Sequence, residues 1–183
     1  LKNTRELPSI DFLNECFYID DNFHIYWKHR PLHHFKSKSS YTTWNKRFEG
    51  LCAETKIMIG GKYVKRVCIA DIRYYSHRII YKIMVGDIQS GYEIDHINLD
   101  RIDNNIANLR QCEAYQNCQN KSVYKNNKSG VKGVGWHNAS KKWYGRICSN
   151  KKSVFKTFET KDDAESWIMN ERDKKHGEFA RTN

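Results

Sequence analysis

The sequence predicts an α+β fold in three small pieces: an N-terminal α+β unit, a central strand-loop-strand-helix module, and a C-terminal three-stranded sheet backed by a helix. Three observations carry this. A Gly60-Gly61 pair separates two strand-like runs, and an apolar run at helical spacing follows them. Between Tyr92 and Asn120 a strand pattern, an Asn-rich stretch, a second strand pattern and a short helical pattern succeed one another. From Val131 onward three strand patterns precede a run with a clear helix start and stop.

In chain order, Ser9 is placed to cap a short helix whose apolar stripe is Ile10, Phe12, Leu13, Cys16 and Phe17. Asp20-Asp21-Asn22 signals a turn, and Phe23 to Trp27 then reads as a strand leading into the basic loop Lys28-His29-Arg30-Pro31. A polar stretch, Ser37 to Ser40, precedes Tyr41 to Phe48. Lys56–Ile59 and Tyr63–Ile72 form a hairpin across Gly60-Gly61, and Tyr74 to Val85 reads as a helix ended by Gly86. Tyr92 to His96 is a strand, Asn98 to Asn105 a polar loop, Leu109 to Cys112 a returning strand and Glu113 to Asn120 a short helix. Lys121 to Gly130, rich in Lys, Asn and Ser, is a linker. The last three strands are Val131–His137, Lys142–Cys148 and Ser153–Phe158, with turns at Asn138-Ala139-Ser140 and Ser149-Asn150-Lys151. Thr160 then caps a helix with Asp162 and Asp163 in its first turn and Lys174, Lys175 and His176 in its last, the charge order that the helix dipole favours; Gly177 ends it. Ala164, Trp167, Ile168 and the stem of Glu171 are expected to face the sheet. On the second strand Trp143, Gly145 and Ile147 alternate with Lys142, Tyr144, Arg146 and Cys148, giving one packed face and one aromatic and basic face.

The 183 residues carry 32 Lys plus Arg against 21 Asp plus Glu, a net charge of +11, and only 39% are hydrophobic. Five Trp, 11 Tyr and 8 Phe nevertheless exclude a disordered polycation. No run approaches the roughly 20 apolar residues of a membrane span, and no signal peptide opens the chain, so an intracellular protein is expected. The charge is unevenly distributed. Residues 1–91 hold 15 basic and 9 acidic side chains, 92–125 hold 4 and 5, and 126–183 hold 13 and 7, giving nets of +6, −1 and +6. Two basic flanks suit phosphates, and a slightly acidic middle suits a cation.

Six scattered cysteines without a C-x-x-C pair are expected to be reduced thiols. His24, His29, His33 and His34 lie in basic sequence that supplies no carboxylate or Cys at ligand spacing, so structural or phosphate-facing roles are expected for them.

Asp95-His96 is the chemical centre of the sequence. An imidazole beside a carboxylate at a strand end, with amides returning at Asn108 and Asn117, assembles a general base and hard oxygen ligands suited to Mg²⁺ or Mn²⁺. A calcium loop fails on spacing, since the alternate positions after Asp95 are Ile97 and Leu99. Asn120-Lys121-Ser122 and Asn127-Lys128-Ser129 match glycosylation acceptors only formally.

The stretch Tyr92 to Arg110 with the helix to Asn120, and His77-Arg78 upstream, resembles the HNH nucleases of the ββα-metal fold, in the branch of phage homing endonucleases. That resemblance implies Asp95 and Asn117 as metal ligands, His96 as general base and Asn108 as the residue orienting His96. Asn117 stands where the family often has His, and Asn120 is an alternative ligand. The implied reaction is metal-dependent hydrolysis of double-stranded DNA to 5′-phosphate and 3′-OH ends. From Ser129 to Phe179 the chain resembles the AP2-type DNA-binding domain, through Gly130-Val-Lys-Gly-Val-Gly-Trp136, Lys142-Trp-Tyr-Gly-Arg-Ile147 and the helix ending His176-Gly-Glu-Phe179. Strand parity and this resemblance nominate Lys132, Trp136, Lys142, Tyr144 and Arg146 as DNA contacts. Lys151 and Lys152 are nominated for phosphate, and Arg78 as a further DNA contact. The expected organisation is 1–73 a basic DNA-contacting region, 74–122 the nuclease module, 123–129 a linker and 130–183 the AP2-like domain, acting as a monomer on DNA, with a dimer as the alternative. The alternative is a non-catalytic AP2-like regulator that keeps a relic HNH fold.

Overall fold

The computed structural model describes residues 5–119, 123, 127–149 and 152–177. Asn120, Lys151, Phe179 and residues 121–122 and 124–126 of the expected linker lie outside the described residues. The chain divides into two compact units, Leu1–Gln111 and Cys112–Asn183.

In the first unit Ser9 caps α1 (Ile10–Cys16), its side chain accepting from the Phe12 N–H. Phe17 does not extend that helix. It opens β1 (Phe17–Ile19), which pairs antiparallel with β2 (Ile25–Trp27) through Phe17 opposite Trp27. Ser37, in the polar stretch, caps α2 (Lys38–Phe48). The expected hairpin across Gly60-Gly61 is β3 (Glu54–Ile59) with β4 (Lys62–Ile69), and a third strand, β5 (Ile72–Tyr75), pairs with β4. The chain reverses at Ala70 and Asp71, both at positive φ, so the single strand expected from Tyr63 to Ile72 is two, and α3 (Ser76–Met84) starts two residues later than expected. β6 (Tyr92–His96) pairs with β7 (Leu109–Glu113).

One hydrophobic core runs from Leu7 to Leu109, across residue 73, and takes in Leu13, Phe17, Ile25, Val67, Ile79, Ile80 and Ile94. Full burial of each such side chain contributes about 1.5–3 kcal/mol. Arg30 is a cation within aromatic surroundings, only 8% exposed, with its guanidinium 4.7 Å from the Trp44 ring centroid and 4.9 Å from that of Phe35. Asn45 fixes its backbone by accepting from the Arg30 N–H and donating to its carbonyl, both at 2.9 Å.

Four of the six histidines in this unit, His24, His29, His33 and His34, take structural positions beside acidic groups. Each finds a carboxylate that is remote in sequence: His24 with Glu54 at 3.0 Å, His29 with Glu49 at 2.7 Å, and His33 and His34 with Glu15 at 3.1 and 2.7 Å. Chain reversal, not local spacing, supplies these partners. Arg30 Nε donates to His34 Nδ1 at 3.3 Å, which leaves Nε2 of neutral His34 as the N–H facing Glu15. That tautomer forms a hydrogen-bond relay from Arg30 through His34 to Glu15. All six cysteines are free; burial pushes the Cys16 thiol up to about 11.

The second unit holds α4 (Ala114–Gln119), then β8 (Val134–His137), β9 (Lys142–Ser149) and β10 (Lys152–Phe158) in a sheet of order β10-β9-β8, and α5 (Lys161–His176). Thr160 caps α5 by accepting from the Asp163 N–H at 3.1 Å. Val134, Ile147, Ala164 and Ile168 form the buried core, with Trp143, Phe158 and Trp167 packed on it. Gly145 lets helix and sheet meet: a Cβ there would lie 2.5 Å from the Trp167 ring. Arg172, rather than the stem of Glu171, completes the buried line Ala164, Ile168, Arg172, and its guanidinium donates to the Lys132 carbonyl. The four-residue step from Ile168 puts Arg172 directly below it on the helix.

Candidate active site

β6 buries Ile94 and then two polar residues in succession, Asp95 at 5% exposure and His96 at 6%. Burial of such groups requires partners. Arg110, on the neighbouring strand, donates from Nε and a terminal nitrogen to Asp95 Oδ2 at 3.2 and 3.1 Å. The His96 Nε2 lies 3.2 Å from Asn104 Oδ1, and the His77 ring meets the His96 ring edge-on with centroids 4.8 Å apart.

The Asn-rich loop is a run of side-chain-bonded turns. Asn98 accepts from the Asp100 N–H, Asp100 from Ile102, Asp103 from Asn105 and Asn105 from Ala107. Asn108, 9% exposed, closes the loop: its Oδ1 accepts from the Asn98 N–H at 2.9 Å, and its Nδ2 donates to Asn98 Oδ1 and the Asp103 carbonyl at 3.0 and 2.8 Å. The Ile97 N–H donates to the Asn108 carbonyl at 2.9 Å. Asn108 thereby ties the residues following His96 to the start of β7.

Burial pushes the His96 imidazole below its ordinary value, while the Asn104 bond and the carboxylates of Asp95, Asp100 and Asp103 pull it partway back. His77 is pushed well below by burial and then by the positive charge of its neighbours. Both favour a neutral imidazole, the form that accepts a proton. Asn117 lies in α4, half-buried. The donors nominated for a metal are carboxylate and amide oxygens, with no sulfur, a set that fits a hard divalent cation. Sequence reasoning missed Asn104, which is 3% exposed. In a loop with four Asn between 98 and 108, nothing in the sequence separates it from its neighbours.

In the second unit the register sorts the nominated DNA contacts. Gly135 faces Tyr144, His137 faces Lys142 and Phe155 faces Arg146, so these side chains share the sheet face away from α5. Tyr144 stacks on Phe155 at 5.3 Å, and Arg146 Nε donates to Ser153 Oγ at 3.0 Å. Lys142 pairs with Glu159 at 2.6 Å. Trp136 falls on the other face, opposite Trp143 with ring centroids 5.4 Å apart, and is 44% exposed. Strand parity places Trp136 with Val134, not with the Tyr144 face. Lys132 lies in the turn before β8, where its Nζ donates to the Gln119 carbonyl at 2.7 Å, and Lys152 is exposed on β10. Phe155, 51% exposed, and His137 were not nominated from sequence. Counting parity back from Phe158 would have found Phe155.

No helix among the described residues is long and apolar enough to cross a membrane. No solved structure matches the chain significantly. A family profile described as HNH endonuclease matches residues 74–119, the span that holds His77, the Asp95-His96 pair, Asn108 and Asn117. Protein 3.8 of Escherichia phage T7 is 33% identical over 107 residues, covering 57% of this chain and 87% of that protein. An uncharacterized HNH endonuclease of Acanthamoeba polyphaga mimivirus is 38% identical over 63 residues, covering 34% of this chain and 33% of that protein. With the buried Asp95-His96 pair inside the matched span and most of the phage relative's length covered, the chain belongs to the HNH endonuclease family.

Proposed function

We propose that this protein is a metal-dependent, site-preferring endonuclease of homing type that hydrolyses double-stranded DNA to 5′-phosphate and 3′-OH ends. The observation that carries the proposal is the buried Asp95-His96 pair at the end of β6, held by Arg110 and Asn104 above a self-bonded loop. Buried, neutral His96 takes the proton from the attacking water. Asn108 acts through the loop, fixing the backbone that follows His96, and Asn104 holds the ring. Asp95 and Asn117 are the residues that would hold Mg²⁺ or Mn²⁺, with Asn120 the alternative to Asn117. Such a cation, when bound, offsets charge on the phosphoryl oxygens and on the leaving 3′ oxygen.

The second unit supplies the site preference. Its outer sheet face, with Tyr144, Arg146, Lys142, Phe155 and His137, matches the size and character of a β-sheet reader entering the major groove, as the AP2 resemblance implies. Lys132 is a further contact, and Lys151 and Lys152 serve phosphates. The chain acts on DNA as a monomer, the alternative being a dimer.

The test is supercoiled plasmid incubated with the protein in Mg²⁺, in Mn²⁺ and in chelator. Conversion to nicked or linear DNA only with a divalent ion, and ends that ligate without kinase treatment, support the proposal. Binding without conversion under any divalent ion overturns it in favour of a DNA-binding regulator.

A further inference from the structure

Beside the nuclease centre, the first unit contains a polar cavity of about 380 Å³ whose wall includes Arg5, Arg66, Arg73 and Arg78. Asp71 and Tyr75 also line it. Among the described residues none of the four arginines forms an ion pair. Arg66 is spent partly on Tyr75, donating to its hydroxyl at 3.1 Å with the guanidinium 4.7 Å from the ring centroid. Arg78, in the first turn of α3, is partly buried, and the attraction of Glu93 only partly offsets what that burial costs its charge. Four guanidinium groups around one cavity repel one another, and a single carboxylate leaves a net excess of three positive charges. A bound anion would relieve that repulsion. Arginine forks match the oxygens of a phosphate in a way that a point charge does not.

The cavity adjoins the reacting centre through a short series of rings. Tyr75, in its wall, stacks on His77 with centroids 5.5 Å apart, and His77 meets His96 at 4.8 Å. We infer that Arg5, Arg66, Arg73 and Arg78 form a clamp for a backbone phosphate of the DNA strand being cut, next to the scissile one. This rests on the nuclease proposal for His96. The clamp sets where along the strand the scissile phosphate comes to rest, and Tyr75 and His77 fix the offset between clamp and base. It is independent of the outer sheet face of the second unit, and it accounts for the three arginines of the β4–α3 region that the sequence left unassigned or, for Arg78, assigned without partners.

The test measures binding of a short fluorescein-labelled DNA duplex to the full-length protein in chelator, so that no cleavage intervenes, across a salt series. Arg73→Gln and Arg66→Gln are each expected to weaken binding about tenfold. The double variant is expected to flatten the slope of log affinity against log salt by about one, the value for one lost phosphate contact. Arg73 is exposed, so its variant folds even if loss of the Arg66–Tyr75 contact disturbs the strand; melting temperature checks both. If the native protein binds the duplex and both variants match it within twofold, the clamp is overturned and the nuclease proposal stands. If the native protein fails to bind any duplex, both fall. A parallel arm titrates inorganic phosphate: stabilisation of the native protein, lost in Arg73→Gln while DNA affinity is unchanged, would show a site for free phosphate and would also overturn the clamp.

Discussion

The two units treat polar residues in opposite ways. Around β6 the proposed functional groups point inward: Asp95, His96, Asn104 and Asn108 are all buried, Asp95 held by Arg110, His96 and Asn104 by each other, and Asn108 by the loop. Around β9 the proposed contacts point outward from an apolar and aromatic core, and Tyr144, Phe155 and Arg146 lie on the sheet face away from α5. The contrast follows from the tasks proposed. A proton transfer needs a base held in one orientation in a place where burial shifts its titration, whereas a groove reader needs area and exposure.

The largest effect that would sharpen the contrast is on chemistry alone. His96→Ala should lower metal-dependent plasmid cleavage by roughly 10²–10⁴-fold, while duplex binding in chelator stays within about twofold of the native protein. Cleavage at the native rate would break the assignment. Next comes a change to the second unit only. Gly145→Ala drives a methyl into the Trp167 ring and should cost about 1–3 kcal/mol of that unit's stability, read as an earlier thermal transition. An unchanged melt would show that the helix can move off the sheet at no cost. Third, Tyr144→Ala with Arg146→Ala should weaken duplex binding about tenfold through the loss of one aromatic and one arginine contact, leaving the cleavage rate at saturating DNA unchanged. A fall in that rate instead would tie the sheet to chemistry.

The smallest effect is on pH dependence. Burial holds His77 well below the ordinary imidazole value of about 6.5, and it holds His34 and His96 below it as well. The unfolded chain therefore binds protons that the folded unit refuses, so stability is full above about pH 6.5 and declines as pH falls from there toward the folded values. In the second unit, among the described residues, only His176 is lowered in this way. The melting temperature of the first unit should thus fall faster between pH 7 and pH 5.5 than that of the second. Equal slopes would mean that the first unit's imidazoles are protonated when folded.

How legible each unit was follows the same division. β6, the loop and β7 stand where their residues predict, because Ile94, the Asx turns and the amides act locally. The C-terminal strands and the caps of α5 are equally local signals. Phe17 was not legible: an apolar residue after an apolar helical stripe suits either element, and only its pairing with Trp27 decides. Ala70 and Asp71 adopt positive φ without Gly, so the turn they make left no mark. Asn104, Glu15 and the four-arginine cavity depend on contacts made by chain reversal, which spacing along the sequence does not report.

The aromatic packing divides in the same place. Trp27 and Trp44 meet edge-on at 4.8 Å inside the first unit, whereas Trp136, Trp143 and Trp167 belong to the second. Each unit thus contains its own indole emitters, in unlike surroundings: Trp27 is 7% exposed and Trp136 is 44% exposed. Emission from the shielded pair shifts to the red when the first core opens, while an external quencher reaches Trp136 first. The native chain, without added labels, can therefore report the opening of its first core and the state of the second unit's sheet as separate optical signals.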